Sequence, residues 1–228
     1  MQTANASDRV RMRLETRSRT AYGAFVGRSV VAAAALAALV SSAPAIAAAD
    51  DGWQKVRDKD GITLEKRSVE GSRFLDYRAR THTTVSPDAA VKKIWGGIGD
   101  EKSPTIKRRA VVQRSVDEVV VYDQIRAPVV TDRDVIIRIR KITDAHTGGY
   151  EIQFQSTTEL GPPPAEGYVR LPMVRGGWRI EPDGAGGSNV AYTCYSEPGG
   201  AVPAFMVRGT QQDNVLEEFE RVMTRVGR

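Results

Sequence analysis

Site chemistry needs groups that titrate, ligate or attack, and this sequence holds few of them in groups. His82 and His146 are its two histidines, and Cys194 is its one cysteine. His82 lies in "RFLDYRARTHTT", on a strand face shared with Asp76, Arg78 and Arg80, whereas His146 lies in a "DAHTGG" turn. A metal site needs clustered ligands, so both histidines read as solvated and neither a metal nor a cofactor is expected. The patterns H-E-x-x-H, C-x-x-C, G-x-S-x-G and the phosphate-binding P-loop are absent. "GAGGSN" (Gly184 to Asn189) lacks the third glycine of a dinucleotide loop and sits between two strands, so it reads as a hairpin turn.

Single residues carry what chemistry remains. Asp123, in "VVVYDQIRAP", shares a strand face with Val119, Val121 and Ile125. There it is either a buried carboxylate that requires a partner or a residue at the rim of the strand. Arg208 and Gln212 fall within the apolar arc of the last helix, in its first turns. Either the arc shifts and leaves them at the surface, where arginine snorkels to water, or they point inward. Asp123, Tyr77 and Tyr192 are the groups that would act as acid or base if the protein were an enzyme.

The elements that position these residues are short. "ITLEKRSV" (Ile62 to Val69) and "RFLDYRARTHTT" (Arg73 to Thr84) predict two antiparallel strands. "SPDAAVKKIWGG" predicts a helix with Ser86 as N-cap, Pro87 at its first position and Asp88 favourable to the dipole, closed by Gly96 and Gly97. Six further strands are expected over 106–115, 118–126, 134–143, 150–158, 168–181 and 188–196, separated by turn chemistry such as "HTGG", "GPPPAEG" and "PDGAGG". The three prolines Pro162 to Pro164 make a stiff loop. A long helix, Pro203 to Val226, ends the chain, with Val215, Leu216, Phe219, Val222, Met223 and Val226 in one arc. The class is α+β: a large antiparallel sheet, one early helix, and one long terminal helix packed into the sheet's concavity.

The N-terminus has a different character. Residues 1–29 contain Arg9, Arg11, Arg13, Arg17, Arg19 and Arg28 against Asp8 and Glu15, followed by "VVAAAALAALV" (Val30 to Val40) and "SSAPAIAAAD". A basic leader, a short apolar run and an Ala-x-Ala site describe a secretory signal peptide. The apolar run is too short for a bilayer, which takes about 20 residues. Residues 1–47 are expected to be removed after Ala45-Ile46-Ala47, with Ala49 as the alternative site and Met12 as an alternative start. That leaves a domain over 48–228 in the periplasm. The whole chain has 33 basic and 28 acidic residues, and without residues 1–49 the balance is 27 to 26. Near-neutrality removes the electrostatic case for nucleic acid.

Three segments, taken together with the element order, resemble the START domain, the steroidogenic-acute-regulatory-related lipid-transfer fold of helix-grip type. They are "YDQIRAPVVTDRDVIIRIRK" (Tyr122 to Lys141), "EGYVRLPMVRGGWRIEP" (Glu166 to Pro182) and "SNVAYTCYSEPGGAVPAFMV" (Ser188 to Val207). The resemblance implies a curved sheet of about nine strands around the last helix, with an apolar tunnel for one lipid-sized ligand between them. Alternation and helix phase put Tyr77, Ile137, Met173, Tyr192 and Phe219 on the tunnel wall, and the resemblance adds Phe205, Arg208 and Asp123 as ligand contacts. It also implies a gate formed by the loop Arg126–Arg133, including Pro128 and Arg133, together with the last helix. Gly199 and Gly200 would be its hinge, and Pro203 would set the helix direction; a static corner demands the same residues. Two departures stand out. Arg208 replaces the usual asparagine, and Val121 and Ile139 occupy positions where many members place an acid–arginine pair. Asp123 with Arg208 is expected to substitute for that pair.

The implied function is an exported, monomeric carrier of a lipid or other apolar small molecule, in transient contact with a membrane surface. A helix-grip enzyme of cyclase or aromatase type and a ligand-gated interaction module are the alternatives.

Overall fold

Glycine- and proline-rich turns cut the chain into antiparallel runs, and a computed structural model describes residues 52–99, 103–127 and 130–227. The expected leader and Pro128 lie outside the described residues. In chain order the elements are β1 (Gln54–Lys59), β2 (Ile62–Ser68), β3 (Leu75–Thr83), α1 (Pro87–Gly97), β4 (Ile106–Arg114), β5 (Glu118–Ile125) and β6 (Arg133–Asp144). There follow β7 (Gly149–Ser156), β8 (Val169–Arg170), β9 (Met173–Pro182), β10 (Ser188–Glu197) and α2 (Ala204–Val226). One sheet runs β1-β2-β3-β10-β9-β7-β6-β5-β4, and β8 pairs with β6 off that path. Every neighbouring pair on the path is antiparallel, and β8 lies parallel to β6.

Two strands depart from the sequence reading. β1 had no range in the sequence reading, which expected about nine strands and placed eight: of its six residues only Val56 is even half-buried, so this edge strand carries no apolar alternation. The run 168–181 is two strands, split at Leu171 and Pro172, because proline has no N–H to give a ladder. Both sheet edges are irregular. The β1–β2 register shifts between Lys55 and Arg57, and the β4–β5 register shifts twice, at Ile106/Arg108 and Val111/Gln113.

The helices form where their caps predict. Ser86 Oγ accepts from the Ala89 N–H at 3.4 Å, with Pro87 behind it. Pro203 is the N-cap of α2 rather than its first helical residue, and Gly227 closes the helix in the left-handed region at φ 95°. Lys93 on α1 donates to the Val226 carbonyl at 2.7 Å, placing a cation at the negative end of α2. Val215, Phe219, Val222, Met223 and Val226 are buried against the inner face of the sheet, where Trp178 stacks on Phe219 at 5.7 Å. Val120, Tyr122 and Ile136 form a smaller cluster on the outer face, covered by Leu160.

Candidate functional site

The inner face of the sheet is not filled completely. Between β4–β7, β9, β10, the end of α1 and the middle of α2 lies a cavity of about 310 Å³. Ile125, Ile137 and Ile139 line one wall, Phe154 and Tyr192 another, and Val215 and Val222 close it from α2. The β pleat produces this: alternate residues of β5 and β6 face inward, and apart from Asp123 those lining the cavity are aliphatic.

An ion pair with a fully buried carboxylate interrupts the apolar lining. Asp123, 1% exposed, accepts from Arg109 Nε at 2.7 Å and from Nη2 at 2.5 Å. The two residues lie directly opposite each other in the β4–β5 ladder. Burial pushes the Arg109 guanidinium towards losing its proton, but the Asp123 carboxylate outweighs this and holds it above its ordinary range. The partner of Asp123 is therefore Arg109, and the expected pairing with Arg208 is wrong. The cavity does have an acid–arginine pair, displaced along the strands from Val121 and Ile139, both of which are buried core residues. Sequence reading missed Arg109 because it stands in the basic run "KRR" on an edge strand. Counting back from the Ser115-Val116-Asp117 turn sets an arginine opposite Asp123 to within the one-residue shift of a bulge.

Other polar groups reach the cavity. Gln211 Nε2 donates to Ser196 O at 2.8 Å and to Ser196 Oγ at 3.0 Å, which fixes its amide, and its Oε1 is buried with no hydrogen-bond partner among the described residues. Glu218 and Arg221 pair on α2 at 2.7 Å. Cys194 opens on the same space, and burial pushes its thiol up to about 12, so it stays protonated at neutral pH. Burial likewise raises the Tyr192 phenol well above its ordinary range.

The expected site residues separate into three groups. Asp123, Ile137 and Tyr192 line the cavity. Phe219 and Tyr77 are core residues instead. Phe219 is spent on the Trp178 stack, and the Tyr77 hydroxyl donates to the Arg208 carbonyl at 3.2 Å. Met173, Phe205 and Arg208 do not face the cavity at all. Val174 points inward on β9, so its neighbour Met173 points to the outer face. Phe205 is 77% exposed and Arg208 is exposed, because the buried arc of α2 begins only at Val215.

Among the gate residues, Arg133 is buried and donates Nε to Pro198 O at 3.0 Å, and it also bonds Thr131 O and Gly199 O. It thus ties the start of β6 to the Pro-Gly-Gly corner. Gly199 and Gly200 sit at φ 67° and 65°, where a side chain is disfavoured. At Gly199 a Cβ would also press on Pro172 Cδ at 3.1 Å, whereas at Gly200 it would meet open space. Among the described residues there is no group of three or more metal-ligating side chains.

A curved antiparallel sheet gripping a long C-terminal helix over an apolar cavity defines the helix-grip class. Residues 34–228 match the START domain model, and the chain belongs to that family. It is 29% identical over 196 residues to an uncharacterized protein of Pseudomonas aeruginosa, covering 85% of this chain and 95% of that one. It is 24% identical over 176 residues to the phosphatidylcholine transfer protein of Mus musculus, covering 75% of this chain and 81% of that protein. Among solved structures, a STAR-related lipid transfer protein fragment from Xanthomonas axonopodis superposes with a TM-score of 0.68 at 23% identity, covering 78% of this chain and all of the fragment.

Proposed function

We propose that this protein is an exported carrier that holds a lipid or other hydrophobic molecule in the cavity beneath α2 and transfers or shields it. The observation that carries this reading is the cavity itself: apolar walls with one buried ion pair and one unanswered acceptor. Apolar surface supplies affinity, and a few fixed polar groups orient the ligand. Gln211 Oε1 calls for a hydroxyl or N–H on that ligand, and Arg109 for an acceptor. The basic leader and Ala-x-Ala site support export to the periplasm. Phe205 and Met206, exposed at the start of α2, supply an apolar contact for a passing membrane surface. Membership of a family whose murine relative is named for phosphatidylcholine transfer supports the lipid class.

Native mass spectrometry of the purified mature protein, followed by lipid extraction, tests the reading. A one-to-one complex that releases an apolar molecule on activation is expected. Ile137→Trp should abolish it by filling the cavity, at a cost of about 1–3 kcal/mol in overpacking strain. Met173→Trp, on the other face, should leave it intact. Equal occupancy in both variants would move the ligand elsewhere.

A further inference from the structure

The outer face of the sheet carries a second concavity, independent of the inner cavity and of the proposed carrier role. It is an open groove of about 930 Å³ whose wall contains seven arginines and two glutamates. We infer that this groove binds a polyanion bearing two or more phosphate groups.

The strand register assembles the arginines around one point. Gly177 of β9 lies opposite Thr193 on one side and Gln153 on the other, and Gln153 lies opposite Arg140 of β6. Arg175 and Arg179 flank Gly177 on its own strand, on the same face. Rise and strand spacing set their Cα atoms about 7 Å from that of Gly177, and the Cα of Arg140 about 10 Å from it. No side chain fills the centre, because a Cβ at Gly177 would lie 2.5 Å from the Ile152 carbonyl oxygen. Long cationic side chains therefore converge over a floor of glycine, threonine and glutamine, beside which Glu151 lies opposite Arg179 and accepts from Gln153 Nε2 at 2.7 Å.

The carboxylates that neutralise these arginines do not close the groove. Glu118 takes Arg140 through Nε at 2.7 Å, and Glu181 meets Arg179 at 2.8 Å. Asp76 is buried beneath the face and comes no nearer to Arg175 than 3.9 Å. A guanidinium has five donors in a fixed fork, so none of these partners takes up all the donors of its arginine. Arg138 adds an independent signal: Glu159 meets its Nη2 at 3.6 Å, but among the described residues its buried Nε has no hydrogen-bond partner and lies 3.9 Å from the Glu118 carboxylate. At the rim, Arg67 and Arg78 lie 4.4 and 4.3 Å from the centroid of the Trp53 ring, which restrains both side chains before any ligand arrives.

Phosphate fits this arrangement better than carboxylate does. Arginine forks match both, but a phosphomonoester carries about −1.5 to −2 charge and three acceptor oxygens, so one group spans two guanidiniums. The separation of Arg140 from the Arg175–Arg179 pair calls for more than one such group.

Isothermal titration of the mature protein with sodium tripolyphosphate at low salt tests the site. One-to-one binding that weakens as salt rises is expected. R175Q/R179Q should lose about tenfold or more in affinity, and R140Q a smaller factor, with circular dichroism melts showing that both are folded. R57Q/R108Q, which removes two exposed charges from the edge strands, should bind as wild type. A second arm uses sedimentation with phosphatidylcholine vesicles containing phosphatidic acid. If the groove variants lose vesicle binding too, the phosphates belong to a membrane headgroup; if only tripolyphosphate binds, they belong to a soluble polyanion. Either result supports the site. Four results would overturn it: binding to neither probe, equal affinity in the groove variants and wild type, equal loss in R57Q/R108Q, or citrate binding as tightly as tripolyphosphate.

Discussion

Two buried aspartates on adjacent strands, Asp123 and Asp134, face opposite sides of the sheet and are treated differently by it. Asp134, 0% exposed on the outer side, accepts from the Tyr122 hydroxyl, the Ala165 N–H, and both Nε and Nη2 of Arg170. An ionised carboxylate has about four acceptor positions, so it is saturated. Through these bonds it pins the 157–168 loop and β8 onto the sheet. Asp123 accepts from Arg109 alone among the described residues and keeps capacity towards the cavity. Burial and an arginine partner are common to both; saturation separates a fastening from a group that can still meet a ligand.

The largest expected effect lies on the saturated side. Asp134→Ala strands Arg170 and two further donors, the Tyr122 hydroxyl and the Ala165 N–H, and urea unfolding should report a loss of about 3–5 kcal/mol. A loss no larger than that of Asp123→Ala would break the contrast. Acid should discriminate next. Burial alone would raise the Asp134 carboxyl, but Arg170, the Ala165 N–H and Tyr122 together hold it below the ordinary 3.8. A depressed folded value means its stabilisation is complete above the unfolded value and is lost as pH falls through the folded one. Proteolysis within 157–168 should therefore rise only below about pH 4, and Asp134→Asn should remove that step. Asp123→Ala is expected to cost the fold less, about 1–3 kcal/mol, because the cavity gives Arg109 other company. Its main readout is ligand content by native mass spectrometry. Full lipid occupancy in that variant would show that the unsaturated carboxylate is idle.

Legibility in the sequence followed the range of the interactions. Ser86-Pro87-Asp88 and the apolar arc from Val215 are local signals, and both helices formed where those signals put them. The sheet was readable wherever one face is buried, because period-two alternation then survives in the sequence. β1 escaped a range because an exposed edge has no such alternation, and 168–181 reads as one run because β8, two residues long, is too short to show a pattern of its own. Asp123 announced itself as a carboxylate among valines, but its partner depended on a bulged hairpin register. Arg208 was misplaced because helical phase gives direction around an axis and says nothing of how far along that axis the sheet extends; Phe205, placed by resemblance, lies in the same exposed first turns. Gln211 gave no signal, since its orphaned oxygen exists only after Ser196 has claimed its amide nitrogen.

The irregular edges bear on how many copies can gather. An open sheet ends in unsatisfied backbone groups that invite another strand, and a flat edge is a template for fibres. Here β1 shows Lys55, Arg57 and Lys59 to solvent, and β4 shows Lys107 and Arg108. A register shift interrupts the ladder at each edge. Two such edges meeting would set cation against cation across a row of groups that no longer aligns. Exposed cations and a broken register together disfavour the addition of a second copy's strand at either edge.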